Sequence, residues 1–339
     1  MNNIELPKPP VAPVLSVDIA YFSNIIDNAL STIKYGDKPL ELYEPIRYIM
    51  QLGGKRLRPL ITLLSGYLFS TDVEACIKPS IGVEVFHNFT LLHDDIMDKA
   101  PLRRGKPTVH EKWNSNIAIL SGDVMLVRAY EFFLDVEVNK LQKVLKLFSS
   151  CAAAVCEGQQ LDMNFELQEQ ISIADYLHMI TLKTAVLLGL SLELGAVLNN
   201  ASDNNALLLK NFGINIGIAF QLRDDLLDVY GDQSKFGKQV GGDILADKKT
   251  FLQLTALAQA NPTQKELLTR YRQEAIFSPE LKITEVTEVY NQLNVKAQTE
   301  EKINQYFAEA IQSLDAVNAP VERKALLKNL ALKLMEREK

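Results

Sequence analysis

Apolar residues recur at steps of three and four along nearly the whole chain after residue 16, and this pattern constrains the fold most. Between residues 141 and 158, for example, one stripe contains Leu141, Val144, Leu145, Phe148, Cys151 and Val155. Such spacing places side chains on one face of a helix, whereas the two-residue alternation typical of strands is scarce here. Turn-forming residues divide the chain into about ten helices. The sequence therefore predicts an all-α fold.

The domain organisation is predicted to be simple. Residues 1–16 are polar and proline-rich, and we expect an extended N-terminal segment there. No linker rich in proline or serine interrupts the rest, so we expect one all-helical domain over residues 17–339. The sequence after Asn261 is more charged and less apolar, which predicts peripheral helices in that part of the chain.

Composition excludes several classes of protein. The net charge of −6 argues against a nucleic-acid binder, which usually has a basic surface. Cys76, Cys151 and Cys156 cannot all pair and stand in apolar contexts, as expected in a reducing compartment. The N-terminus lacks the basic start and apolar core typical of a signal peptide. The apolar run at residues 185–198 contains Glu193 and is too short to span a bilayer. We therefore expect a cytoplasmic protein without a transmembrane segment.

Two acidic clusters carry the strongest chemical signal. Both have the same spacing: Asp94, Asp95 and Asp98 in DDIMD, and Asp224, Asp225 and Asp228 in DDLLD. Either cluster alone is most often a solvated helix face. Both, however, follow strongly apolar sequence, and carboxylates on buried helices need compensating cations. Because carboxylate oxygens with room for water and phosphate suit Mg²⁺, two facing clusters predict a site for several Mg²⁺ ions and a diphosphate.

Basic residues stand where they could bind diphosphate groups. They are Lys55, Arg56 and Arg58 in GGKRLRP, Arg103 and Arg104 in LRRGKP, Lys183 before Thr184, and Lys238 and Lys248 around a glycine-rich loop. Glycine turns let backbone N–H groups approach phosphate, and arginine binds it through two parallel bonds. Each motif alone could be a turn or a solvated charge. Together with the acidic clusters, they favour binding of two separate diphosphates.

In this order, GGKRLRP, HDDIMD with RRG, KT, GIAFQLRDDLLD and GK…GGD…K resemble the motifs of trans-type polyprenyl diphosphate synthases. The resemblance covers residues 40 to 255. It implies the isoprenoid synthase fold, a single-domain helical bundle around a deep central cavity, normally as a homodimer. It also implies head-to-tail condensation of isopentenyl diphosphate with an allylic diphosphate, through an allylic cation formed with the help of Mg²⁺.

The resemblance implies a role for each matching residue. Asp94 and Asp98 would bind two Mg²⁺ ions and Asp224 a third, supported by Asp95, Asp225 and Asp228. The allylic diphosphate would be held by Arg103, Lys183, Lys238, Lys248 and Gln221, and isopentenyl diphosphate by Lys55, Arg58, His87 and Arg104. Oxygens of Thr184 and Gln221 would lie near the allylic cation, which makes Lys183, Thr184, Gln221 and Arg103 the expected catalytic residues.

The chain departs from the family pattern at one place. Ala246 and Asp247 stand where many family members have Glu-Gly before the lysine that matches Lys248. A carboxylate beside that lysine could weaken or redirect its contact with a diphosphate.

Product length is predicted from aromatic residues before the first cluster. Phe89 lies five residues before Asp94, and the position four before is the small Thr90. In the synthase family this pattern resembles enzymes that make C20 products, so we expect geranylgeranyl diphosphate, with farnesyl diphosphate (C15) as the alternative. On a helical wheel, however, Thr90 lies about 40° from Asp94, Phe86 about 80° and Phe89 about 140°. Phe86 is therefore an alternative floor for the growing chain.

Two other functions share some of these features. A terpene cyclase also has one DDxxD cluster, but usually carries an Asn/Ser/Glu metal motif instead of a second one and lacks GGKRLRP. A non-catalytic subunit of a heteromeric synthase typically loses one aspartate cluster or the basic residues. Both clusters and the basic motifs are complete here, which favours an active synthase.

Overall fold

The computed structural model describes residues 18–231, 241–271 and 278–336, so the predicted segment 1–16 lies outside it. Within these ranges the chain forms sixteen α-helices, one π-helical turn and one two-stranded hairpin. The α-helices are α1 (Ile19–Thr32), α2 (Leu40–Gln51), α3 (Leu57–Tyr67), α4 (Glu74–Met97), α5 (Val109–Lys112), α6 (Ser115–Glu131), α7 (Val138–Leu167), α8 (Ile173–Ile180), α9 (Val186–Leu198), α10 (Asp203–Tyr230), α11 (Gly242–Leu245), α12 (Phe251–Gln259), α13 (Pro262–Arg270), α14 (Pro279–Gln292), α15 (Val295–Asp315) and α16 (Val321–Met335). The π-helix is Thr181–Ala185, and the hairpin pairs β1 (Leu102–Arg103) with β2 (Lys106–Pro107).

Local sequence explains where many helices begin. Asp18 accepts a hydrogen bond from the backbone N–H of Tyr21 at the start of α1. Ser172 forms a capping box with Asp175 at α8, and Asn261 forms one with Gln264 at α13. Each such cap satisfies backbone N–H groups that have no partner inside the helix and stabilises it by about 1 kcal/mol.

The described residues divide into two compact units. Unit 1 comprises those of Met1–Ser149, Leu190–Leu209 and Asn318–Leu327, and unit 2 those of Ser150–Gly189, Lys210–Val317 and Lys328–Lys339. The prediction of a single domain over residues 17–339 stays a prediction.

In unit 1, α4 is the central helix. It packs against α1, α2, α3, α5 and α6, and it buries side chains on every side rather than along one stripe. A helix that is buried all round belongs in the middle of a core. Phe22 of α1, Ile46 of α2, Leu63 of α3 and Phe86 of α4 are almost fully buried there. The first acidic cluster lies at the C-terminal end of this central helix.

In unit 2, one apolar cluster joins α8, α10 and α12 to the helices that follow. Leu222 of α10 and Leu252 of α12 are fully buried in it, as are Val286 of α14 and Val295 and Ile303 of α15. The helices after Asn261 therefore bury one face in this cluster, and the prediction that they are peripheral stays a prediction. Their solvent-facing sides are rich in charge, which lowers the average hydropathy although their inner faces are apolar.

One long apolar run crosses α8, the π-helix and α9. The run Ile173–Leu198 contains an 18-residue window with a mean hydropathy of 1.6, enough by length and composition to cross a membrane, but 72% of that window is buried inside the protein. A mostly buried run of this kind is typical of a core helix of a soluble protein. The described residues therefore contain no clear transmembrane span.

Candidate active site

The three carboxylates of the first acidic cluster face in different directions. Asp94 and Asp95 are in the last turn of α4, and Asp98 is its C-cap. Asp95 is only 2% exposed, and its carboxylate accepts two hydrogen bonds of 2.7 Å from the guanidinium of Arg103. Asp94 is partly exposed and Asp98 exposed. Asp95 therefore faces the protein and fixes Arg103, while the solvent-accessible carboxylates are those predicted to bind metal.

The two arginines of the RRG motif lie in the β-hairpin, and their side chains contact different parts of the chain. Its two-residue loop consists of Arg104 and Gly105, both with positive φ (52° and 74°). Positive φ at both loop positions is typical of type I′ hairpin turns and explains the glycine. Arg103 reaches Asp95 on α4, whereas Arg104 donates a hydrogen bond to the carbonyl of Gly53. The sequence predicted only a turn here, because two-residue strands are too short to show alternation.

A group of cations surrounds His87 in unit 1. Burial lowers the pKa of this imidazole well below its ordinary value, and the charges of Arg58, Arg104, Arg103 and Arg56 lower it further. His87 is therefore neutral near pH 7 and retains one N–H donor. Burial and the charges of Arg56 and Arg103 also lower the pKa of Arg104, although Arg56 and Arg103 are themselves paired with the Glu84 and Asp95 carboxylates. A negatively charged ligand would relieve the repulsion among these guanidinium groups. Three of the residues predicted to bind isopentenyl diphosphate thus lie close together.

Arg56 has a structural role in the same motif. Its guanidinium donates 2.6 Å to the buried Glu84 carboxylate and 2.5 Å to the carbonyl of Met50. These bonds fix the start of α3, where Arg56 itself has a left-handed backbone conformation. The sequence analysis grouped Arg56 with the residues that could bind a diphosphate, whereas its guanidinium is bonded to Glu84 and Met50. The roles implied by the family resemblance did not include Arg56, in agreement with this placement.

The second acidic cluster lies near the end of α10 in unit 2. Asp225 is 5% exposed and accepts hydrogen bonds from the Tyr176 hydroxyl and, at 3.0 Å, from the Gln221 side-chain amide. Burial, together with the neighbouring Asp243 carboxylate, raises the pKa of Asp225 to about 7. Asp224 and Asp228 are partly exposed. As in the first cluster, the middle aspartate is anchored to the protein and the outer two remain accessible.

The π-helix places Lys183 and Thr184 in the same unit. The Lys183 ammonium lies 2.5 Å from the Asp162 carboxylate of α7, and the Thr184 hydroxyl donates 3.3 Å to Gln221. A Cβ at Gly158 of α7 would lie 2.2 Å from the backbone nitrogen of Lys183, so this close approach requires glycine. Single π-helical turns often mark functional sites, because they redirect side chains within a helix.

The glycine-rich segment that follows the second cluster is described from Gly241 onwards, and Lys238 lies outside the described residues. The Asp228 carboxylate accepts 2.8 Å from the backbone N–H of Asp243. The Lys248 ammonium lies 3.6 Å from the Asp243 carboxylate. Asp247, by contrast, forms an ion pair of 2.8 Å with Lys282. The carboxylate that the sequence places beside Lys248 is therefore paired with another lysine.

Unit 2 encloses a cavity of about 800 Å³. Among the described residues, its lining includes eight carboxylates and three ammonium groups. The carboxylates are Asp162, Glu166, Glu169, Asp224, Asp225, Asp228, Asp243 and Asp247, and the ammonium groups are Lys183, Lys248 and Lys249. The predicted residues Thr184 and Gln221 also line it. Such an excess of carboxylate favours binding of cations, because a cation offsets the repulsion between negative charges in a partly buried space.

The donor set fits a hard divalent metal. Its ligand atoms are carboxylate oxygens, which Mg²⁺ prefers. Among the described residues, no three acidic, histidine or cysteine side chains already converge as a metal-binding group. Mg²⁺ commonly uses one or two carboxylates and completes its shell with water and substrate phosphate, so the residues present fit the ion.

Three residues of this cavity were missed by the sequence analysis. Asp162, Tyr176 and Asp243 each contact a predicted residue, namely Lys183, Asp225 and Lys248. Asp162 and Tyr176 belong to other helices than their partners, and their sequence context resembles any amphipathic helix. The GGD segment was noted as a motif, but without a role for its aspartate.

Comparison with known proteins identifies similar chains. A family model described as polyprenyl synthetase matches residues 39–293. The chain is 41% identical over 244 residues to a short chain isoprenyl diphosphate synthase of Methanocaldococcus jannaschii, covering 72% of this chain and 74% of that protein. It is 39% identical over 256 residues to a geranylgeranyl diphosphate synthase of Saccharolobus solfataricus, covering 73% and 76%.

A solved structure gives the same result. The fold matches a crystal structure of geranylgeranyl pyrophosphate synthase with a TM-score of 0.90 and 40% sequence identity, over 96% of this chain and all of that one. The all-α prediction and the isoprenoid synthase fold that the motifs implied are therefore confirmed.

Proposed function

Because the chain belongs to the polyprenyl synthetase family and is thus a trans-prenyltransferase acting on isoprenoid diphosphates, we propose that it makes geranylgeranyl diphosphate (C20). Farnesyl diphosphate (C15) is the second candidate. The similarity to named geranylgeranyl diphosphate synthases carries the proposal. The aromatic Phe89 five residues before Asp94, next to the small Thr90, supports the same length.

The direct test is a product analysis. Purified protein would be incubated with Mg²⁺, isopentenyl diphosphate and dimethylallyl, geranyl or farnesyl diphosphate, and the product length measured by mass spectrometry. We expect a main product of C20 from each primer. A main product of C30 or longer contradicts both candidates, and absence of turnover by the chain alone would indicate a non-catalytic subunit.

The metal is proposed to be Mg²⁺, within a family that uses a divalent metal. Asp94 and Asp98 would hold two ions and Asp224 a third, with Asp225 and Asp228 in support. Bound ions would neutralise the leaving diphosphate so that its C–O bond can break. The anchoring of Asp225 by Tyr176 and Gln221 supports this division, because it keeps the ligand side chains of α10 in one orientation.

Residues of unit 2 are proposed to bind the allylic diphosphate. Lys183 and Lys248 supply ammonium groups at the cavity. Arg103 of unit 1 and Lys238, which lies outside the described residues, are proposed as further ligands of the allylic diphosphate on the motif resemblance alone. The Gln221 amide donates to Asp225, and its oxygen accepts from Thr184. These two bonds fix the amide orientation, so that oxygens of Gln221 and Thr184 can stabilise positive charge developing on the allylic carbon.

Isopentenyl diphosphate is proposed to bind at the cation group of unit 1. Arg58 and Arg104 would bind its phosphates together with the exposed Lys55, and neutral His87 would donate one hydrogen bond. The C–O bond of the allylic diphosphate breaks, and the double bond of isopentenyl diphosphate attacks the allylic carbon through its terminal CH2 to form the new C–C bond. This leaves a cation at the internal alkene carbon. The CH2 on the diphosphate side of that cation then loses a proton, which forms the new double bond. We assign that proton to the departed diphosphate, which is a base already present at the reaction centre.

The two diphosphate assignments can be separated by mutation. Arg58→Ala is expected to raise the KM for isopentenyl diphosphate by about tenfold or more, because it removes charge-assisted hydrogen bonds. Lys183→Ala should act mainly on the allylic substrate. Steady-state kinetics with each substrate varied in turn would measure both effects.

A matched control for these variants is Lys112→Ala. Lys112 is exposed on α5, where its ammonium lies 4.0 Å from the Tyr48 ring centroid, and its removal should change neither KM. Equal effects of Arg58→Ala and Lys183→Ala on both substrates would show that the sites are misassigned.

A homodimer and a cytoplasmic location are also proposed. The surface of α6 exposes the apolar side chains of Ile119, Leu120 and Val127, and Leu134 follows on the same part of the chain. An exposed apolar stripe of this kind is typical of a protein interface. We expect a dimer mass by light scattering, and a shift towards monomer for Leu120→Asp. None of the three cysteines forms a disulfide, which suits a reducing compartment. Cell fractionation should recover the protein in the soluble fraction.

A further inference from the structure

A buried lysine contacts the segment that departs from the family pattern. Lys282 of α14 is 1% exposed. Its ammonium lies 2.8 Å from the Asp247 carboxylate and donates 3.1 Å to the carbonyl of Leu245. A buried ammonium needs an anionic partner and hydrogen-bond acceptors to be tolerated. Asp247 supplies that charge from a position where many family members have glycine.

The backbone conformation at Asp247 explains why an aspartate can replace glycine at this position. Its φ is +52°, in the left-handed region that glycine occupies without strain. Among other residues, aspartate and asparagine tolerate this conformation best. The turn geometry can therefore stay the same, while the aspartate adds a carboxylate that reaches Lys282.

Residues 241–249, the segment that contains Asp247, are also held in place at both ends. The Asp228 carboxylate accepts from the N–H of Asp243, and the Asp228 carbonyl accepts 2.6 Å from the N–H of Gly241. At the other end, the Lys249 ammonium donates to the carbonyls of Phe165 and Gln168, around the C-terminus of α7. Between these anchors lie Asp243 and Lys248, which both line the cavity.

We propose that Lys282, through its ion pair with Asp247, is a positioning residue for Lys248 and Asp243 and thereby controls affinity for the allylic diphosphate. Lys282 itself is absent from the lining of the 800 Å³ cavity in the described part of the chain. Lys282 acts indirectly, because its bonds to Asp247 and Leu245 hold the turn that follows α11 against α14. The proposal rests on the assignment of Lys248 to the allylic diphosphate.

Two variants test the pair. Lys282→Met keeps the length of the side chain and removes its charge, and it is expected to raise the KM for the allylic diphosphate on the order of tenfold, as loss of a charged contact does. Asp247→Asn keeps the volume and the tolerance of positive φ, so it should fold even if Lys282→Met does not. We expect Asp247→Asn to raise the same KM about threefold, which is half of the tenfold effect of Lys282→Met on a free-energy scale. The KM for isopentenyl diphosphate should stay unchanged in both.

Lys140→Met is the matched control for a purely structural effect. Lys140 in unit 1 is also largely buried, donates 2.9 Å to the Leu198 carbonyl and pairs with Glu137 at 3.3 Å. Its replacement should lower Tm without changing the ratio of the two KM values. If Asp247→Asn leaves the allylic KM unchanged, or raises both KM values equally, the positioning role is refuted.

A third variant separates this inference from the assignment beneath it. Lys248→Ala should raise the allylic KM at least as much as Lys282→Met. If Lys248→Ala raises it and Asp247→Asn does not, only the positioning role fails. If Lys248→Ala leaves it unchanged, the assignment of Lys248 fails and the positioning role fails with it.

Discussion

Asp224→Ala is expected to lower kcat by about a hundredfold or more, because loss of a ligand to a transition-state metal ion costs several kcal/mol. Asp94→Ala should have a similar effect. Both side chains are the accessible members of their clusters, whereas Asp95 and Asp225 are bonded to Arg103 and to Tyr176. The expected defect is therefore catalytic, and Tm should change little. Single-turnover rates and thermal melts of the same preparations would measure the two quantities.

The matched control is Asp203→Ala on the same helix as Asp224. The Asp203 side chain is 90% exposed and pairs only on the surface, with Lys143, so we expect its kcat to equal that of the unmodified protein. Added Mg²⁺ should partly rescue Asp224→Ala if the variant retains the other ligands. Full activity of the unmodified protein in excess EDTA would contradict the metal requirement itself.

The features predicted from sequence are those with short-range patterns. Helices follow from apolar spacing, and each aspartate cluster follows from residues one turn apart. The same rule explains why the middle aspartate of each cluster differs from its neighbours. Asp95 and Asp225 lie about 100° around the helix from the preceding aspartate, so they point into the protein while Asp94 and Asp224 do not.

Partners that come from distant parts of the chain could not be predicted. Tyr176 lies 49 residues before Asp225, and Asp162 lies 21 residues before Lys183. No periodic pattern contains such a separation, since it depends on how helices pack. The contact of Lys248 with a diphosphate could not be predicted for the same reason. The sequence places Asp247 beside Lys248, but it gives no sign that Lys282 pairs with the Asp247 carboxylate.

Phe89→Ala is expected to lengthen the main product beyond C20. In unit 1 the rings of Phe86 and Phe89 are in contact, with centroids 5.6 Å apart, and Phe86 also contacts Phe148 at 5.2 Å. Phe89 is 8% exposed and Phe86 only 1%. Removal of the more accessible ring would leave room for a longer chain, and mass spectrometry of the products would detect it.

Alanine variants of Phe86 and Phe133 show whether a change in product length comes from opening the space for the growing chain or only from lost packing. Phe133 is fully buried, and its ring centroid lies 4.6 Å from that of Phe148. Its replacement by alanine should cost about 3–5 kcal/mol of stability, as buried Phe→Ala changes do, with no change in product length. Phe86→Ala should lose a similar amount. If Phe86→Ala lengthens the product and Phe89→Ala does not, the floor lies one turn deeper in α4, where the helical wheel brings the side chain closer to the side of Asp94.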